Sequence, residues 1–126
     1  MEKCQVSYGV PNATSEEDKR VSLWEVFVPV KLSPEDPEAI PEVYHRAWDA
    51  AVLAITQGLT IFKPVRGVWI HAGEEERTYQ EFMIPVRIAC TLLQIDKILG
   101  LTADHYNQVK VFAYKVSDTV LFYSKE

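Results

Sequence analysis

From Leu23 to Leu32 the apolar residues Trp24, Val26, Val28, Val30 and Leu32 fall on every second position, with Glu25, Phe27 and Lys31 between them. Successive side chains of an extended chain point to opposite faces, so this period predicts a half-buried strand over Leu23 to Leu32. Ser33-Pro34-Glu35-Asp36-Pro37 stops it, and the spacing then changes. Ile40, Tyr44, Ala47, Trp48, Ala51 and Ile55 recur at three- and four-residue intervals, which predicts an amphipathic helix with Pro41 in its first turn and Gly58 just past its end. Glu38 and Glu42 suit the positive end of its dipole. On this reading Trp48 meets Trp24 in a core between helix and sheet.

The second half repeats the theme. Leu59 to Phe62 resumes a strand, Pro64 interrupts it at an edge or bulge because it has no N–H to donate, and Val65 to His71 forms the first arm of a hairpin. Its tip is Ala72-Gly73-Glu74-Glu75-Glu76. The return arm, Thr78 to Cys90, alternates, with Phe82, Ile84, Val86, Ile88 and Cys90 toward the helices and Tyr79, Glu81, Met83 and Arg87 away from them. Thr91 is placed to cap a helix from Leu92 to Leu99, and Gly100 ends or bends it before a second short turn from Thr102. Val109 to Val116 predicts the last strand, and Thr119 to Tyr123 a fifth short strand or an edge extension. The order β-α-β-β-α-β is the ferredoxin-like arrangement, an α+β fold whose antiparallel sheet carries two helices on one face and leaves the other open.

The segment Gly58-Leu59-Thr60-Ile61, followed by Gly67-Val68-Trp69, a charged tip and an apolar return strand, resembles small uncharacterised bacterial proteins of the ferredoxin-like and dimeric α/β-barrel kind. The resemblance runs over residues 23 to 123. It implies a homodimer in which two sheets meet face to face, and small ligands held at that interface or between sheet and helices. Neither heme nor flavin ligands match position by position, and no cofactor is expected.

Length and composition change this picture little. At 126 residues the chain suits one domain, read as a polar lead-in over 1–20, with a short strand around Gln5 to Tyr8, and a single ferredoxin-like unit over 21–126. A net charge of −5 argues against nucleic acid as a partner, because that binding draws on phosphate neutralisation. The chain lacks an apolar leader and any run long enough to span a membrane, so a soluble cytoplasmic protein is expected. Cys4 and Cys90 have no metal-type spacing and read as free thiols, Cys90 buried. No metal site is expected.

Candidate chemistry gathers on two places. His71, with Glu74, Glu75 and Glu76 beyond it, offers a proton-sharing or metal-binding set, but a hairpin tip does not hold ligands at fixed geometry. His45, on the first helix, and His105, near the second, are separate in sequence, nothing there puts them in one site, and each is read as a surface or half-buried residue. The open face is predicted to display Glu25, Phe27, Lys31, Tyr79, Glu81, Met83 and Arg87, with Lys110, Phe112 and Tyr114 or their alternates from the last strand, a mixture of rings, Met and opposed charges that suits a homodimer contact. A pocket there for a small acidic organic ligand would draw on Arg66 and Arg87, with Tyr79, Phe27 and Tyr114 around it and His71 or Glu81 as base. The resulting reading is a small-molecule-binding or homo-oligomeric interaction protein, the alternative being a cofactor-free enzyme acting on a small organic substrate at the sheet face.

Overall fold

The structure, a computed structural model, describes residues 19–71 and 77–125. The lead-in strand around Gln5 to Tyr8, Cys4, and the tip with Glu74, Glu75 and Glu76 lie outside the described residues. The elements run β1 (Ser22–Pro29), α1 (Glu42–Ile55), β2 (Thr60–Ile61), β3 (Val65–His71), β4 (Arg77–Cys90), α2 (Leu92–His105) and β5 (Ala113–Ser117). All pairings are antiparallel, with β1 between β5 and β4 and with β2 and β3 following one another along the outer edge of β4. This is the ferredoxin-like α+β fold. No helix among the described residues is long and apolar enough to cross a membrane.

Pro64 does what its missing N–H requires. Ile61 pairs with Val86 and Val65 with Met83, so the outer strand takes four steps where β4 takes three. The extra residue is a one-residue bulge that splits β2 from β3. β1 is shorter than its apolar run, since pairing stops at Pro29 opposite Met83, leaving Lys31 and Leu32 beyond the ladder.

The core lies on one face only. Val26 and Val28 of β1 and Val86, Ile88 and Cys90 of β4 pack against Trp48 and Val52 of α1 and Ile95, Ile98 and Tyr106 of α2. Phe82 has the helix-side parity expected of it but is 57% exposed, because β3 and β4 project past the helices, where Val68 and Ile70 are exposed as well. Trp24 packs at the margin of the core, donates Nε1–H to the Cys90 carbonyl at 3.3 Å and lies under Lys115. Trp48 has Tyr106 as its aromatic neighbour, at 6.3 Å between centroids.

Three further boundaries differ from the sequence expectation. α2 runs unbroken through Gly100, whose missing Cβ would meet nothing within 4 Å, so neither crowding nor strain stops the helix there. It ends instead at Asn107, in the left-handed region at φ 52°. Its start is as expected: the Thr91 side chain accepts from the Gln94 N–H, and the Gln94 side chain accepts from the Thr91 N–H. β5 begins at Ala113 rather than Val109. The segment from Thr119 to Tyr123 forms no strand, because its neighbour β1 is already exhausted where Leu23 pairs with Ser117.

Candidate binding surface on the open sheet face

A row of three residues crosses the open face. Glu25 of β1 lies in register with Arg87 of β4 on one side and Tyr114 of β5 on the other. Arg87 Nε donates to Glu25 Oε1 at 2.9 Å, and the Tyr114 hydroxyl donates to Glu25 Oε2. Glu25 is only 6% exposed, and a buried carboxylate is tolerated when donors from both flanks satisfy it. That hydrogen bond also holds the Tyr114 phenol above its ordinary pKa, since losing the proton would set two anions against each other. Arg87 further stacks on the Phe62 ring, 5.1 Å from its centroid.

Beyond this row the face turns aromatic. Phe27 lies 5.2 Å from Phe112 and 6.1 Å from Tyr114, and Phe112 meets Trp69 edge-on at 5.7 Å. Gly67 makes this possible, because a Cβ there would stand 2.7 Å from Met83 Cε and 3.1 Å from Trp69 Nε1. The Trp69 N–H is buried with no hydrogen-bond partner among the described residues. Glu81, directly opposite Gly67, is half-buried, and burial raises its carboxyl pKa.

Of the residues anticipated from sequence, Phe27, Glu81, Arg87 and Tyr114 share this face. Arg66 does not. It pairs with Phe82, on the helix-side parity, whereas Arg87 has the opposite parity, so the sheet separates the two guanidiniums instead of setting them side by side. Arg87 is moreover already engaged by Glu25. His71 and Tyr79 are placed only by their backbones, in register with Arg77 and Trp69, and their side chains lie outside the described residues.

The structure brings His45 and His105, which nothing in the sequence joined, to one place around Tyr106. His45 Nδ1 is 2.7 Å from the Tyr106 hydroxyl, and the His105 ring packs edge-on against Tyr106 at 4.8 Å. His105 Nε2–H donates to the Tyr44 carbonyl at 2.8 Å, and the Tyr44 hydroxyl donates back to the His105 carbonyl. The sequence carried a signal for it: His45, Trp48, Val52 and Ile55 form a stripe at helical spacing that shares Trp48 and Ile55 with the expected one and has His45 and Val52 where that has Tyr44, Ala47 and Ala51.

Fold and face together define a ferredoxin-like α+β domain whose sheet surface, uncovered among the described residues, is lined with aromatic rings around a neutralised ion pair. Among solved structures, the chain is similar to the B. subtilis GlnK–ATP complex, at 16% identity over 76% of this chain and 84% of that one, with a TM-score of 0.40. It is also similar to B. subtilis GlnK, at 12% identity over 76% and 86% of the two chains, with a TM-score of 0.38. No protein-family model matches the chain, and no curated protein matches it in sequence.

Proposed function

We propose that the protein acts as a homodimeric interaction module, two copies meeting through their open sheet faces. The observation that carries this reading is the composition of the face: Phe27, Met83, Trp69, Phe112 and Tyr114 surround an Arg87–Glu25 pair that is already charge-balanced within one chain. Rings, Met and Arg are the residues enriched where proteins meet, and a patch with its own charges cancelled approaches a copy of itself without repulsion. Size agrees. The five strands, from two to fourteen residues long, cover roughly 600 Å² at about 4.8 Å spacing and about 3.4 Å rise per residue. One side of a stable interface buries about 800 Å².

Met83 sits in the middle of this surface, beside Gly67 and Trp69, and Met83→Glu would place an unpaired charge in the contact. Light scattering at tens of micromolar, where an interface with a dissociation constant of about 1 μM is occupied, should give twice the chain mass for the wild type and the single chain mass for Met83→Glu. A wild type that runs at the single chain mass refutes the reading.

A further inference from the structure

On the other side of the sheet, under the first turns of α1, lies a cleft of about 310 Å³, at the lower end of the size range of small-molecule sites. Its floor is apolar, formed by Val28, Ile84 and Val86, with Ile61 of β2 at its mouth. Its wall is not. His45 and Asp49, one turn apart on α1, and Tyr106 from the end of α2 line it, with the Glu42–Arg46 pair at the outer rim.

The balance of charge on that wall selects the ligand. Arg46 is held by Glu42 at 3.4 Å, and the two cancel. His45 is shielded from water against Tyr106, and burial lowers its pKa, which disfavours the charged ring. Tyr106 is fully buried and keeps its phenolic proton. Asp49 is then the one net charge beside an apolar floor, partly stripped of water and without a cationic side chain bonded to it among the described residues. Glu42, His45 and Asp49 do not converge at metal-ligand distances. An anion would meet Asp49 with the nearest guanidinium already taken.

From this juxtaposition we propose that the cleft binds a small organic amine, cationic at neutral pH, with its ammonium at Asp49 and its hydrocarbon body on Ile61 and Ile84. The carboxylate supplies a charge-assisted hydrogen bond, while Ile61 and Ile84 take the apolar part out of water. The full chain can be titrated, under amide NMR, with 2-phenylethylamine and two probes of similar shape, 3-phenylpropionate and 2-phenylethanol. The amine should give saturable shifts confined to α1, β2 and the facing stretch of β4, with the acid and the alcohol at least about tenfold weaker. Asp49→Asn, near-isosteric on a half-buried helix position, should weaken the amine about tenfold with spectral dispersion retained. Ile61→Trp, at an exposed position that narrows the mouth, should weaken it independently. Acid or alcohol binding as tightly as the amine, shifts centred elsewhere, an unaffected Asp49→Asn, or no saturable binding up to about 10 mM, where even a millimolar site fills, each overturns the proposal.

Discussion

The hydrogen bond from Trp48 Nε1 to Thr102 Oγ1, 2.9 Å long and buried on both sides, joins α1 to α2 at the centre of the core. Thr102 passes the contact on, donating its hydroxyl to the Ile98 carbonyl at 2.5 Å. Thr102→Val keeps the shape and removes the acceptor, so the indole N–H becomes a buried donor with no partner. That costs about 1–3 kcal/mol, and a value near 2 kcal/mol is expected. Trp48→Phe removes the donor together with the fused ring. Deleting that much packed volume costs on the order of 2 kcal/mol, below the 3–5 kcal/mol of a full Trp to Ala truncation. In the double variant no N–H is left to orphan, so the loss should be about 3 kcal/mol, not the sum of about 4, a coupling of about 1 kcal/mol. Each loss is a large share of the roughly 5–15 kcal/mol that holds a domain of this size folded.

Urea melts of the four species measure this directly, with the slope unchanged if the unfolded states are alike. Losses that add to within about 0.3 kcal/mol would mean that the two residues act independently, and the bond would then not be a tie between the helices. A Thr102→Val cost under about 0.5 kcal/mol, the range of an uninvolved surface change, would refute the desolvated-donor argument as well.

Gly67→Ala should cost up to about 1 kcal/mol, at the low end of overpacking, because the Met83 methyl can swing aside while the Trp69 ring must give by a few tenths of an ångström; thermal melts that show Gly67→Ala gaining stability would refute the close approach. Burial pushes the Cys90 thiol up to about 12, so in a Cys4→Ser chain a thiol reagent at pH 8 should label it only as fast as the protein unfolds, and immediate labelling would contradict its burial. His45 has its pKa lowered chiefly by burial, with His105 adding to this and Asp49 and Glu42 opposing it. The folded chain therefore binds fewer protons than the unfolded one, and His45 contributes stability above pH 6.5 that is lost as pH falls toward its folded value. Urea midpoints taken between about pH 7.5 and about pH 5.5 should fall more steeply for wild type than for His45→Gln, and parallel profiles would refute it.

The sequence by itself determined the elements and the side of the sheet each strand residue faces within its own strand. Strict period-two alternation allows one burial pattern, which is why Val26, Val28, Val86 and Ile88 could be assigned to the core and Glu25, Phe27, Met83 and Arg87 to the open face. The Pro64 bulge and the Thr91 cap were legible for a similar reason, each following from one residue's missing donor or spare acceptor. What lies between strands was not. Arg66 and Arg87 belong to elements whose relative parity is set by register, and the pairing of Arg66 with Phe82 and of Thr60 with Arg87 places the guanidiniums on opposite faces. The rotation of α1 was legible only in part: the predicted stripe already held Trp48, but packing against the sheet turned Val52 inward beside it and brought His45 and Asp49 to the cleft. Side-chain volume decided this: the bulky indole fills the space between helix and sheet, and alanines at 47 and 51 would have left it empty.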